Sequence, residues 1–489
     1  MDDMQKLGRE KRRMWTWIMT ALLVACFAMG AWQRYKPLPD GVSVAFPERD
    51  AHEIRFLADE TWYTPSGERH TRCQIFDEVL AMIGQAQRLV VLDMFLFNDF
   101  AGAADGQTFR PLSAEVSDAL IAQKRQYPEL EAVVITDPLN TLYGGIEVDH
   151  FQALRDAGVE VVITNLNRLR ASNPLWSGIW HLGPRWLGND SDGGWLPNAL
   201  GPGRVPLRSY LALLNFNANH RKTLVVDHGD GWAGLVTSAN PHDASSLHGN
   251  VALRFEGAAA LDLLASERSV AGWSGVKLAG PAPPVSEETS PEPVRLQVLT
   301  EGAVRDALLD AIQASAEGDH LDIAVFYLAH REVIAALVAA HTRGVAIRLL
   351  LDPNRNAFGL EKGGIPNRPV ARELHEAGIR VRWCVSRGEQ CHSKLLLRRP
   401  AEPGVEAEMI LGSANFTRRN LDDLNLETSV CLSGPADTPA LLDAAAFFER
   451  RWKSTPQRIT SEPFEAHDDT TAWQRLRYRA MEATGLSTF

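Results

Sequence analysis

The stretch Asn219-His220-Arg221-Lys222-Thr223-Leu224-Val225-Val226-Asp227 decides how this chain is read, because it returns further on as Cys391-His392-Ser393-Lys394-Leu395-Leu396-Leu397. In each copy a His and a Lys two residues apart lead into an apolar run, the pattern of a buried strand. Residues i and i+2 of a strand share a face, so imidazole and ammonium project into the same space. That pair suits a phosphoryl group: the imidazole can attack or protonate, while the ammonium holds non-bridging oxygens through three donors. One such match is weak, since it also describes a strand-edge His beside a solvated Lys. Here each copy is followed after a short gap by a second signature, Thr237-Ser238-Ala239-Asn240 and Gly412-Ser413-Ala414-Asn415.

Outward from the motifs, the duplication continues. Upstream of the first lie an apolar strand from Leu89 to Phe97 with Asp93 inside it, a helical pattern around Leu120 and Ile121, and a strand ending Thr136-Asp137-Pro138-Leu139-Asn140. Upstream of the second lie Leu321 to Leu328 with Asp322 inside it, a helical run from Val333 to Ala340, and a strand ending Leu351-Asp352-Pro353-Asn354. Leu154-Arg155-Asp156-Ala157-Gly158-Val159 is then matched by Leu374-His375-Glu376-Ala377-Gly378-Ile379, both helix ends leaving through Gly into a strand. One α/β unit used twice is the fold class these repeats predict.

These residues resemble the phospholipase D superfamily, including its cardiolipin synthase and phosphatidyltransferase branches, over nearly everything between Phe46 and Lys453. The resemblance implies two tandem α/β/α sandwich halves related by pseudo-twofold symmetry, with one active site at their interface. It also implies cleavage of a phosphodiester through a phosphohistidine, with no metal or cofactor, and transfer to water or an alcohol. The catalytic set it implies is His220, Lys222, His392 and Lys394. His220 is favoured as nucleophile and His392 as the acid, with the reverse assignment left open. Both lysines, Asn240 and Asn415, with Ser238 and Ser413, are expected to bind the phosphate as charge builds on its oxygens.

Two positions depart from the family's pattern. The first motif ends in Asp227, which the resemblance assigns to supporting the fold of the site, but Arg399 stands there in the second. An acid on a later strand should orient the imidazole. The second half supplies Glu427 in Leu424-Asn425-Leu426-Glu427, and the first offers Asn250 in Gly249-Asn250-Val251-Ala252. An amide oxygen fixes an imidazole tautomer but cannot stabilise an imidazolium as a carboxylate does.

Residues 1–36 read as a cytoplasmic basic start and a membrane anchor. Lys6, Arg9, Lys11, Arg12 and Arg13 precede an uncharged run from Met14 to Trp32 with Trp15, Trp17 and Trp32 near its ends. At ~1.5 Å per residue, this run nearly spans the ~30 Å hydrocarbon thickness. The basic cluster outweighs Arg34 and Lys36, so the N-terminus is expected in the cytoplasm and the body outside it, in a bacterium the periplasm. Leu23-Val24-Ala25-Cys26 as a lipoprotein box, or Ala28-Met29-Gly30 as a cleavage site, are the alternatives, and both also export the body.

The remaining chain divides into a first half over 46–279, a connector rich in Pro and Glu over 280–293, a second half over 294–454 and a polar tail over 455–489. With 489 residues, 45% of them hydrophobic, it has material for two or three domains. A net charge of −11 argues against a general nucleic-acid binder, so phospholipid and membrane are the expected partners. Cys73, Cys384, Cys391 and Cys431 show no zinc spacing, and Cys391 reads as a small buried side chain.

The halves differ most in an insertion over 165–215 that holds Trp176, Trp180, Trp186 and Trp195 with Arg168, Arg170, Arg185, Arg204 and Arg208. It reads either as a lip dipping into the membrane interface to meet headgroups or as a subdomain whose tryptophans pack on one another. The leading function is a phospholipase D-type phosphodiesterase or phosphatidyltransferase acting on phospholipid. An exported phosphodiesterase or nuclease, and a non-catalytic lipid-binding scaffold, are the rivals.

Overall fold

The computed structural model describes residues 2–100, 108–188, 191–198, 201–282, 293–354, 356–357, 360–361, 363–468, 470–485, 487 and 489; most of the predicted connector lies outside them. Helix α1 (Asp2–Tyr35) carries the uncharged run and is, among the described residues, the one helix long and apolar enough to cross a membrane.

The first half then runs β1 (His52–Tyr63), β2 (Arg69–Arg72), α2 (Ile75–Gln85), β3 (Leu89–Met94), α3 (Leu112–Gln126), β4 (Glu131–Thr136), α4 (Asp149–Asp156) and β5 (Glu160–Ile163). The insertion contributes α5 (Pro174–Leu182) and α6 (Leu207–Leu213), before β6 (Lys222–His228), β7 (Gly231–Thr237), β8 (Asn250–Glu256) and α7 (Ala258–Trp273). The second half runs β9 (Arg295–Thr300), α8 (Gly302–Gln313), β10 (His320–Val325), α9 (Arg331–Thr342), β11 (Ala346–Leu351), α10 (Asn367–Glu376) and β12 (Arg380–Cys384). It closes with β13 (Lys394–Arg399), β14 (Ala407–Gly412), α11 (Arg418–Leu421), β15 (Thr428–Gly434) and α12 (Pro439–Trp452), followed by β16 (Ser461–Pro463) and α13 (Ala472–Thr484).

An eight-stranded sheet has the order β2-β1-β8-β7-β6-β3-β4-β5, and a nine-stranded sheet starts at the short strand Arg49–Asp50 and continues β9-β15-β14-β13-β10-β11-β12-β16. Without the edge additions the two orders are the same, strand for strand. β3, β4 and β5 are parallel with β6 returning against β3, as β10, β11 and β12 are parallel with β13 returning against β10. The fold is therefore the α/β duplication the repeats implied.

Both motif strands are covered on two faces. Val225 of β6 and Leu395 and Leu397 of β13 meet in one core shared by the halves, filled by Leu263 and Leu264 of α7 and Phe447 and Phe448 of α12. Leu224 and Val226 face the outer core of the first half, and Leu396 that of the second. A strand buried on both sides has no solvent face to fill with polar residues, which is why each motif runs into an unbroken apolar stretch.

The paired acids inside the central strands are not equivalent. Asp93 lies opposite Thr223, one residue past the motif Lys, whereas Asp322 lies opposite Leu397, three past it; the residue matching Asp93 is Ala324. The insertion is not structureless, since it folds into α5 and α6. Its tryptophans divide between the two readings: Trp180 is buried and Trp176 Nε1 donates to Leu211 O at 2.8 Å, while Trp186 and Trp195 are 71% and 60% exposed. The tail is also ordered. β16 extends the second sheet beside β12, and α13, started by a capping box of Thr471 and Gln474, docks through Tyr478, whose hydroxyl donates to Ala329 O at 2.8 Å.

Candidate active site

Each motif is held from the opposite half. His220 N donates to Leu426 O at 2.9 Å and Leu426 N to Ala218 O at 3.0 Å; reciprocally, His392 N donates to Gly249 O at 2.7 Å and Gly249 N to Gln390 O at 2.8 Å. These short cross-half pairings end one residue before Glu427 and Asn250, so each half presents its orienting residue to the other half's histidine. His220 Nδ1 lies 3.0 Å from Glu427 Oε2. His392 Nδ1 lies 3.1 Å from Asn250 Oδ1 and 3.0 Å from Ser238 O. The two halves thus converge on one site with unequal imidazoles, one on a carboxylate and one on an amide and a carbonyl.

Ser238 and Ser413, expected on the phosphate, are turned the other way. Ser413 Oγ donates to Glu427 Oε2 at 2.5 Å and accepts from Thr428 N at 3.0 Å; Ser238 Oγ donates to Asn250 Oδ1 at 3.0 Å and accepts from Val251 N at 3.0 Å. Their hydroxyls are used up in fixing the groups that fix the imidazoles. The asparagines are less committed: Asn240 Oδ1 accepts from Leu96 N at 3.2 Å, and the buried Asn415 Oδ1 has no partner among the described residues. Lys222 Nζ and Lys394 Nζ each reach back to the carbonyl of their own motif's His, at 2.5 and 2.6 Å.

Two aromatic rings, Phe95 and Phe326, were not singled out by the motifs. Phe95 stands 4.8 Å from the His220 ring and 5.0 Å from Lys222 Nζ, Phe326 5.1 Å from the His392 ring and 5.4 Å from Lys394 Nζ. Each follows the last residue of its central strand and bonds the opposing motif strand through its backbone N–H. Asp137 and Asp352, noticed in the sequence only as repeats, take the N–H of the residue before each His, from Asn219 at 2.7 Å and from Cys391 at 2.9 Å. Their matching place, in an Asp-Pro pair directly after β4 and β11, was the available signal.

Burial among cations dominates the electrostatics. It draws His220 down to about 4 against the pull of Glu427, and Lys222 down to about 7. Burial, then Lys394, His248, Lys222 and His220, hold His392 well below its ordinary value, and Lys394 is lowered by burial and Lys222. Each member of one pair acts on the other pair, as groups sharing one space do. Burial raises Glu427, but His220, Lys222 and Ser413 outweigh it and keep its carboxyl below the usual range. Among the described residues no group of three His, Cys, Asp or Glu could hold a metal ion. Positive charge comes from side chains, and an anion in the site would relieve its mutual repulsion.

The departures at the motif ends are resolved by position. Asp227 accepts from the N–H groups of Arg88 and Leu89, both at 2.8 Å, and so ties the start of β3 to β6. In the second half the register puts Asp319 where the first has Arg88, and Arg399 where it has Asp227. Asp319 accepts from Ala401 N at 2.8 Å, so the acid has changed strand and the tie survives. Arg399 meanwhile pairs with Asp322 at 2.6 Å. Cys391 is buried, as expected, and it also forms a disulfide with Cys384. Behind the site, Glu301 accepts from Arg221 Nη2 at 2.8 Å and from Glu427 N at 3.0 Å, joining the first motif to the strand that orients it.

The family model described as "Cardiolipin synthase, PLD-like domain" matches residues 308–452. Among solved structures, phosphatidylserine synthase from Haemophilus influenzae Rd KW20 is similar with a TM-score of 0.57 at 11% identity, covering 90% of this chain and 94% of that one. Polyphosphate kinase from Porphyromonas gingivalis gives 0.45 at 12% identity over 89% of this chain and 56% of that one. Nuc, a phospholipase D family member from Salmonella typhimurium, gives 0.26 at 21% identity over 34% of this chain and 97% of that one. No curated protein sequence matches. At such identity the likeness to the synthase is one of fold. The family model thus covers most of the second half of the chain, and the first half repeats the strand order of that half.

Proposed function

We propose that this chain is a phospholipase D-type phosphodiesterase or phosphatidyltransferase, acting on phospholipid through a phosphohistidine. The observation that carries the reading is the crossed arrangement in which Glu427 of one half holds His220 of the other and Asn250 holds His392. Glu427 accepts the Nδ1 proton, which leaves the Nε2 lone pair of His220 to attack phosphorus. The bound phosphate anion offsets the cations that depress His392 and so favours its protonated form, and as the N–P bond forms and the P–O bond breaks, His392 gives that proton to the leaving alcohol oxygen. In the second step neutral His392 takes a proton from water or an acceptor alcohol, whose oxygen attacks phosphorus and releases His220. Lys222 and Lys394, with the amides of Asn240 and Asn415, hold the equatorial oxygens as charge accumulates.

A substrate in the bilayer agrees with α1, whose apolar flank leaves Trp17 and Phe27 72% and 73% exposed. The basic cluster before it favours an N-terminus in the cytoplasm with the body outside it. The test is incubation of the full chain with phosphatidylglycerol, with and without an alcohol acceptor, and separately with a short oligonucleotide. Lipid product in the wild type and none in His220→Ala or His392→Ala is expected. Cleavage of the oligonucleotide alone would overturn the lipid reading.

A further inference from the structure

Helix α5 lies antiparallel against the end of α1 with the two backbones touching. A Cβ added at Gly30 would sit 2.4 Å from Pro174 O, and one at Gly178 2.1 Å from Cys26 O. From there α5 rises along the anchor and presents Leu175, Ile179 and Leu182 outward, 67%, 46% and 43% exposed. Beneath the pair, α1, α5 and α6 together with segments 138–146 and 163–171 line an open cavity of about 420 Å³, with Gln33, Trp180, His181, Arg208 and Asn217 in its wall.

Arg208 lines this cavity, and Lys36, Arg168 and Arg185 stand beside its wall residues Asn167 and His181, with no acid among the described residues paired to any of the four. Arg208 lies over the Trp180 ring at 5.3 Å, and its Nε is buried without a partner. Arg185 Nη1 is 3.0 Å from His181 Nδ1, and Lys36 Nζ donates to Asn167 O at 2.6 Å. None of Lys36, Arg168, Arg185 and Arg208 forms an ion pair with a carboxylate among the described residues. They act on each other instead: burial, then Arg185 and Arg168, lower Lys36 to about 8, and burial with Arg185 lowers Arg208. Such crowding opposes folding unless an anion joins the cluster. The far wall is close to the chemistry, because Thr164, which lines the cavity, accepts from Asn219 Nδ2 at 2.9 Å, one residue before His220.

We propose that this cavity is a second phosphate site, separate from the paired histidines, which binds the headgroup phosphate of an anionic phospholipid. Arg208, Arg185 and Lys36 hold the phosphate, and the acyl chains leave along the α1–α5 face into the bilayer. The inference rests on reading α1 as a membrane anchor and not on the transfer chemistry.

The test uses full-length His220→Ala protein in an uncharged detergent, so that lipid binds without turnover, with native mass spectrometry as the readout. Phosphatidylglycerol should bind about tenfold tighter than phosphatidylcholine. Arg208→Gln combined with Arg185→Gln should abolish that preference, and Arg208→Lys should keep most of it. Arg185→Gln alone, at a part-exposed side chain, should lose part of the preference without endangering the fold. Equal affinity for the two lipids, or an undiminished preference in the double variant, overturns the proposal. Glycerol 1-phosphate bound as tightly as phosphatidylglycerol would show a free phosphate site and overturn the lipid assignment. Loss of the preference leaves the histidine chemistry standing, and a wild type that binds lipid here but turns over none retires the chemistry alone.

Discussion

The two halves share a strand order but fasten their motifs by different chemistry. In the first, Asn219 before His220 donates to Thr164 Oγ1 and to the Asp93 carboxylate, whereas at the matching positions of the second Cys391 is joined to Cys384 by a disulfide, and Ala324 replaces the acid. The tie between motif strand and central strand keeps its place while its acid moves from Asp227 to Asp319. Backbone positions are therefore kept and the side chains that keep them are interchangeable. The histidines are the exception: a carboxylate on His220 and an amide on His392 make them chemically unequal, and the proposed division into nucleophile and acid rests on that inequality.

The most severe break in the comparison is removal of each histidine in turn. His220→Ala and His392→Ala should each lower kcat by about 10⁴-fold or more, yet only the second should still accept label from a substrate with a good leaving group. Label trapped in His220→Ala and absent from His392→Ala reverses the assignment.

The inequality is next sharpened by exchanging the orienting residues. Glu427→Gln should cost about 10²- to 10³-fold in kcat/KM. Because Glu427 raises the pKa of His220, its loss should move the acid limb of the kcat/KM profile, where His220 protonates, to lower pH. Asn250→Asp places a carboxylate beside His392 and raises its pKa, so the basic limb should move to higher pH. Limbs that stay where they are in both variants would separate these residues from the titrating groups.

Smaller effects test what holds the halves together. Glu301→Gln removes the nearer of the two carboxylates on fully buried Arg221, leaving Glu267 at 3.6 Å, and should cost about 3 kcal/mol in denaturant unfolding. Asp227→Asn weakens its bonds to the backbone of β3 and should cost about 1–2 kcal/mol. Arg399→Ala removes a pair that is one-third exposed on the Arg side and should cost less than about 1 kcal/mol. Equal costs for Asp227→Asn and Arg399→Ala would contradict the view that the acid's duty passed to Asp319.

Much of the fold was legible because both motif strands are buried on two faces, so their apolar runs and repeated neighbours stand out without alignment. Glu427 and Asn250 could be named from their place after the second signatures, but their crossing to the opposite half could not. It arises from backbone pairing that sets Glu427 and Asn250 on histidines 207 and 142 residues away in sequence. The bonds of Ser238 and Ser413 to Asn250 and Glu427 were illegible because a hydroxyl near a phosphate site looks the same whether it faces the phosphate or the residue behind the imidazole. Phe95 and Phe326 escaped notice because an aromatic at the end of an apolar strand is ordinary until a ring is found beside it. The disulfide was illegible for a similar reason, since cysteines seven apart approach only when the segment between β12 and β13 turns back on itself.

The order of residues by itself determined the duplication, the two His-Lys pairs and the apolar N-terminal run, because strand periodicity and hydrocarbon thickness are local rules that a sequence obeys in plain view. Tertiary structure alone decided which group faces which histidine, where the missing acid went, and that the insertion lies along the N-terminal helix over a basic cavity. Those outcomes depend on contacts between distant segments, and a contact of that kind has no period to be read.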